Sequence, residues 1–363
     1  MQFRLTPVTL FIALVFTSAR WIAAQTVQGN SLEPAKPASA APPAETRASR
    51  WLDLQGGTLG FRSMSQSAPS SPWITEVEYQ FIARGRVKFD GAGRYGAGFR
   101  LSTGNMFRFA WNGTGAADTN FETNFYLKEL FLTASPWKGF EIQYGGIGIN
   151  RGESTEITSY SNNGYLTGER ISIRRPDKLF FDEISATGAY LGDIYNPGIF
   201  HRMNRLGSLN YSQFMVVKKV HRRATVSVDY TSQEGVQTLR QACKITLPRN
   251  PLAESVVFED YERLDYLPAW GYAVTIHKDP VPRLVMSGGV VRIDPNNTLL
   301  NADRMGRGSR VYIAANYRLW RDLNAAFYAT KAYGDMYHVT KAARYDLVLL
   351  YDFMKALKRN RIL

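Results

Sequence analysis

Residues 76–89 read EVEYQFIARGRVKF: Val77, Tyr79, Phe81, Ala83, Val87 and Phe89 alternate with Glu76, Glu78, Gln80, Arg84, Arg86 and Lys88, and Ile82 alone breaks the pattern. Successive side chains of an extended chain point to opposite sheet faces, so this period of two predicts a strand with one oily and one charged face. After a turn at Asp90-Gly91-Ala92-Gly93 the parity is kept, with Tyr95, Ala97, Phe99, Leu101, Phe107, Phe109 and Trp111 opposite Arg94, Arg100 and Arg108. The alternation returns at 224–231, 238–247, 310–319 and 343–353; at 124–135 it is less clean, because Lys128 and Glu129 fall on opposite faces. No run of about 20 apolar residues occurs beyond the extreme N-terminus, which excludes a polytopic helical membrane protein. The mean hydropathy of -0.25 does not argue against a membrane, because a transmembrane barrel hides half of each strand in a polar lumen.

The links between strands give a second, independent pattern. Short turns fall at 90–93, 136–139, 175–178, 220–223, 248–252, 278–282 and 320–322. Between them lie longer or more polar links near 64–72, 112–123, 151–166, 192–207, 262–268, 294–308 and 334–341, with a tight one near 234–236. Transmembrane barrels alternate short periplasmic turns with longer outer loops. The prediction is therefore an all-β fold, a single closed antiparallel barrel of about 16 strands, with 12 to 18 acceptable. Weak strands at 51–63 and 253–261 are needed to reach that number.

Residues 1–24 carry Arg4, an apolar stretch from Leu10 to Phe16 and small residues at Ala23-Ala24, which predicts a cleaved secretory signal peptide. Residues 25–49 are rich in Pro, Ala and Ser and read as a flexible linker. The barrel is expected over 50–353, followed by a basic tail at 354–363. Removing the leader lowers the formal charge from +13 to roughly +11. Cys243 is the single cysteine, so no intrachain disulfide can form.

Over about residues 50–353 this pattern resembles the general and substrate-specific porins of Gram-negative bacteria. The most specific part is the last strand, where Ala343, Tyr345, Leu347, Leu349, Tyr351 and Phe353 are similar to the barrel-assembly signal of that class. Porins usually stop at the terminal aromatic, whereas this chain continues with MKALKRNRIL. The resemblance implies an outer-membrane location, contact with outer-membrane lipids, recognition by the barrel-assembly machinery through Tyr351 and Phe353, and assembly as a homotrimer.

In a barrel the polar face surrounds water, and Arg84, Arg86, Lys88, Arg94, Arg100, Arg108, Arg240, Lys244, Arg310, Arg318 and Arg344 are expected on it as a basic pore wall. Such a wall favours anions among small hydrophilic solutes. The alternative is hydrated lumen residues balanced by acids such as Glu76 and Glu78. Segment 151–166, with Glu153 and Glu156, is the candidate constriction loop, an exposed loop being the other reading. Trp73, Trp111, Trp137, Tyr144, Trp270, Tyr317, Trp320 and Tyr333 near strand ends suit an interfacial girdle or ordinary strand positions. The four histidines are scattered, and no HExxH, GxSxG or paired Cys/His spacing accompanies them, so neither catalysis nor a cofactor or metal is expected. Basic residues alternating along exported strands also argue against nucleic acid. The expected function is passive or weakly anion-selective diffusion, against two rivals: an outer-membrane barrel enzyme, and a soluble secreted all-β protein that binds carbohydrate.

Overall fold

The computed structural model describes residues 51–360 other than 70, 107–109, 158–165, 175–178, 193–194, 249, 266–268, 295, 297–305 and 335–340. The expected signal peptide, the linker and Arg108 lie outside the described residues. The strands are Leu52–Ser67 (β1), Ile74–Lys88 (β2), Tyr95–Thr103 (β3), Trp111–Ala117 (β4), Phe125–Ala134 (β5), Phe140–Ile147 (β6), Leu166–Ile173 (β7), Glu183–Leu191 (β8) and Tyr211–His221 (β9). They continue as Ala224–Gln233 (β10), Val236–Thr246 (β11), Ser255–Arg263 (β12), Trp270–Val281 (β13), Leu284–Ile293 (β14), Gly308–Trp320 (β15), Leu323–Tyr333 (β16) and Ala343–Asp352 (β17). Two short helices occur, Phe200–Met203 (α1) and Phe353–Arg359 (α2).

Neighbouring strands pair antiparallel, and β1 closes the sheet against β17 from Thr58↔Asp352 to Ser67↔Ala343. Strands β3 and β4 occupy one position of the ring. β3 pairs with the Ile82–Lys88 part of β2, and after an excursion β4 pairs with its Glu76–Gln80 part. The result is a closed antiparallel barrel of 16 strands, which leaves no unpaired edge. Both weak strands are present as β1 and β12, and short links alternate with longer ones around most of the ring; the exceptions are 89–94, which matches 68–73 in length, the tight Glu234-Gly235 turn, and 247–254, which is longer than 264–269.

Register assigns the faces. On β15, Val311 and Ile313 are exposed while Arg310 and Tyr312 are buried; on β17, Tyr345, Leu347 and Leu349 are exposed while Arg344 and Asp346 are buried. The oily residues point outward and the charged ones into the ring. The irregularity at 124–135 has a local cause: Arg100 pairs with Glu129 and Leu101 with Leu127, so Lys128 is the extra residue of a bulge. Its ammonium donates to the carbonyls of Thr103 at 2.7 Å and Met106 at 2.8 Å, tying down the excursion between β3 and β4.

That excursion corrects one expectation. The parity does not continue to Trp111, because the residues after Thr103 leave the strand and re-enter shifted; Trp111 pairs with Gln80, faces inward and lies under the Arg62 guanidinium. Aromatics do gather at both rims, with Trp73 stacked on Tyr345 at the long-loop end and Trp137 on Phe140 at the short-turn end. A second correction concerns the last strand. It ends at Asp352, whose carboxylate caps α2 by accepting from the Lys355 N–H at 2.9 Å, and Phe353 opens the helix. The Phe353 ring lies over Gly57, where any Cβ would overlap it, and stacks on Phe81 with centroids 5.5 Å apart.

Candidate functional site

The basic side chains proposed for the wall occur in two different states. Arg100, Arg240, Arg310 and Arg344 are buried rather than presented to water. Three of them face a carboxylate: Arg100 to Glu129 at 3.4 Å, Arg240 to Asp229 at 2.6 Å and Arg344 to Asp346 at 2.7 Å. A buried charge in a sheet requires such a partner; Arg100–Glu129 and Arg240–Asp229 tie neighbouring strands together, Arg344–Asp346 lies within β17, and all three contribute little net field. Arg310 instead donates to the Lys341 carbonyl, and its Nε and Nη1 have no acceptor.

Arg84, Lys88, Lys244 and Arg318 keep access to water, and Arg86 is half-buried, with its Nε and Nη2 enclosed without an acceptor. All five lie toward the short-turn ends of their strands. Arg84, Arg86 and Lys88 form a ladder on β2 whose register partners on β3 are Arg100, Gly98 and Gly96. Gly96 is required, since a Cβ there would meet the Val87 carbonyl and lie 2.9 Å from the Arg86 Nε. Neither Arg84 nor Arg86 has a carboxylate partner among the described residues, although Asp53 is the register partner of Arg86. Glu141 and Glu183, at the same end, are engaged by Arg174 at 3.4 and 3.0 Å. Arg94 is not on the wall; it sits in the β2–β3 turn beside Asp90.

The candidate constriction segment runs along the inner wall. After β6 the chain passes β7, where Arg170 donates to the Gly148 carbonyl. It continues past β8, where the Asn150 amide donates to Ser185 at 3.0 Å, and β9, where Gln213 donates to the Asn150 carbonyl at 2.9 Å. On β10 the Ser227 hydroxyl accepts from the Glu153 N–H at 2.9 Å. On β12 the Glu259 carboxylate accepts from the Ser154 and Thr155 hydroxyls at 2.9 Å each, and from the N–H groups of Glu156 at 3.1 Å and Ile157 at 3.3 Å. Ile157 then packs with Tyr261, Ala273 and Val291. Glu153 lies near Lys244, and its burial raises its pKa above the ordinary carboxylate value while Lys244 partly offsets that shift. Glu156 is 7% exposed.

β12 stands nine positions round the 16-strand ring from β2 in one direction and seven in the other, close to half of the circumference. Glu259 and Arg84 are each four residues in from the short-turn end of their strands. The segment pinned by Glu259 therefore lies across the lumen from the β2 ladder at a similar depth.

Sequence reasoning did not single out Arg62, Arg170 or Glu259. Arg62 and Glu259 occupy inward positions of strands whose alternation is weak, and Arg170 lies beside Glu169, which faces outward. A long polar link following Gly145-Gly146 was the available sign that the chain turns inward there. His201, His221 and His277 lie on separate elements, α1, β9 and β13; His338 is outside the described residues.

No protein-family profile matches the sequence, and no curated protein matches it. Solved structures do. A triple mutant of Rhodopseudomonas blastica porin aligns with a TM-score of 0.51 at 11% identity, covering 83% of this chain and 99% of the porin. A second engineered form of that porin gives 0.52 at 10% identity with the same coverage. OmpF of Salmonella typhi, in a complex with daunomycin, gives 0.51 at 11% identity, covering 83% of this chain and 97% of its own. The chain thus has the closed 16-strand barrel fold of these porins.

Proposed function

We propose that this protein is an outer-membrane diffusion channel for small hydrophilic solutes, weakly selective for anions, and that it performs no covalent chemistry. The observation that carries the reading is the short-turn half of the inner wall, where Arg84, Lys88, Lys244 and Arg318 keep access to water beside the half-buried Arg86, opposite a segment folded inward on Glu259. Narrowing the lumen brings a passing solute close to those cations, and low-dielectric walls strengthen their field. The apolar outward face with aromatics at both rims suits a bilayer. In this reading the leader directs export, the last strand with Tyr351 and Phe353 meets the assembly machinery, and barrels associate as trimers.

The test is planar-bilayer conductance with reversal potentials in a salt gradient. The wild type is expected to favour chloride over potassium. A unit charge about 8 Å from an ion in water is worth about 0.5 kcal/mol, about twofold in permeability, so the double variant R84Q/R86Q should lower the anion preference roughly fourfold. Cation preference in the wild type, or no change in the variant, contradicts the basic-wall element. No conductance at all contradicts the channel.

A further inference from the structure

At the long-loop end, directly above the β2 ladder, the inner wall holds a cavity of about 340 Å³ with chemistry opposite to that of the ladder. Its charged lining is Glu76, Glu78, Asp118 and Glu122 with Lys341 and Arg344, and Met64 and Trp111 line it beside them. Two arginines at this site are already matched: Arg62 lies 2.5 Å from Glu78, and Arg344 lies 2.7 Å from Asp346. Of the charged groups that remain, Glu76, Asp118 and Glu122 outnumber Lys341, which leaves the cavity acidic.

Two of these carboxylates are fixed in place. Asp118 accepts from the Thr75 N–H at 2.7 Å; Glu122 accepts from the Gly113 N–H at 3.2 Å and from Asn105 at 3.4 Å. Glu76 faces the cavity with no ionic or hydrogen-bond partner among the described residues. A second acceptor, the Gln66 Oε1 on the same wall, is buried without a donor. The Trp111 indole already carries one cation, the Arg62 guanidinium 4.6 Å from its ring centroid, and also lines the cavity.

We infer that this cavity is a binding site for the ammonium group of a small organic solute, cationic or zwitterionic, at the entrance of the channel proposed above. The carboxylates and the Gln66 oxygen supply the charge and acceptors an ammonium needs. The indole and the Met64 and Met106 thioethers suit its alkyl substituents. Among the described residues no three carboxylate, His or Cys groups come close enough to share one metal ion, so the spacing suits a wider organic cation. The volume, at the low end of small-molecule pockets, suits a solute of amino-acid size. Glu76 and Arg84 are eight residues apart on β2, roughly 26 Å at strand rise. A zwitterion thus meets an acidic entrance first and a basic passage second.

The site rests on the channel reading for its role but not for its binding chemistry, and the test separates the two. Full-length protein in detergent is titrated calorimetrically with choline chloride at low ionic strength, against sodium chloride and glucose controls. Saturable choline binding is expected, weakened at least about fivefold in E76Q and unchanged in D53N, an inward carboxylate at the other end. Retention of heat-modifiable migration shows that each variant is folded. W111L, which keeps an apolar side chain, should weaken binding without abolishing it. Absence of saturable binding in the wild type, equal affinity in E76Q, or displacement by glucose overturns the proposal. Choline binding in a protein that forms no conducting pore would leave the site standing and refute the channel.

Discussion

On the outward face of β12, in the row that carries Val256 and Phe258, stands Asp260, which is 1% exposed and whose Oδ1 has no hydrogen-bond donor. Its register neighbours are Gln241 and Tyr272, and the next outward residue on its own strand is Glu262. A carboxylate on a face that we assign to lipid is costly, and no cation compensates it at contact distance among the described residues. D260N should therefore stabilise the folded barrel by about 1 kcal/mol, read as a higher midpoint in heat-modifiability or urea titration. A lower midpoint would mean that the charge is used on the assembled surface. Asp260 also marks what alternation can and cannot tell at this scale. Parity places Arg84, Arg86, Lys88, Lys244 and Arg318 on one face of their strands. It could not tell them from Arg100 and Arg240, because their burial and ion pairing depend on the residue directly across the ladder. That residue is set by register, which the period of two leaves open. Arg94 failed for a related reason: periodicity does not say where a strand stops and a turn begins.

At the scale of elements, the segment after β6 depends on one carboxylate. Glu259 receives two hydroxyls and two backbone N–H groups from residues 154–157, and a glutamine offers one acceptor oxygen where the carboxylate offers two. Hydrogen bonds to a charged acceptor contribute about 1.5–3 kcal/mol each, so E259Q should loosen the segment. The expected signs are faster hydrogen exchange at 153–157 and a noisier, larger single-channel conductance; unchanged exchange would show that Ile157 packing alone holds it. Glu153 adds a pH dependence of definite sign. Its folded pKa lies above the unfolded value, so the fold favours the protonated form, and stability is lost as pH rises through that window. E153Q mimics the protonated state, so the exchange difference between it and wild type should be small in acid and widen toward neutral pH. Comparing the two at each pH cancels the contribution of every other group. The length and polarity of this link were legible in the sequence. Its inward course was not, because that depends on a partner about 100 residues away.

For the whole molecule, closure was the most legible property: alternating short and long links require an even number of strands, and that count needs no knowledge of register. The seam shows how the end of the chain takes part. β1 and β17 pair over residues 58–67 and 343–352 without help from α2. The helix then buries Met354 and Ala356, and Arg359 pairs with Asp322 in the β15–β16 turn. These contacts fasten the foot of the seam after it has formed, and they account for the residues that continue past the expected terminal aromatic. A chain ending at Phe353 should therefore still close and show heat-modifiable migration. Losing the buried Met354 side chain costs about 2 kcal/mol, which for a barrel of this size corresponds to a midpoint lower by about 5 °C. F353A in the full chain should cost at least as much, because it removes the ring that covers Gly57 and stacks on Phe81. If the shortened chain never yields the compact form while F353A does, the helix rather than the aromatic directs closure, and the assembly signal lies beyond the last strand.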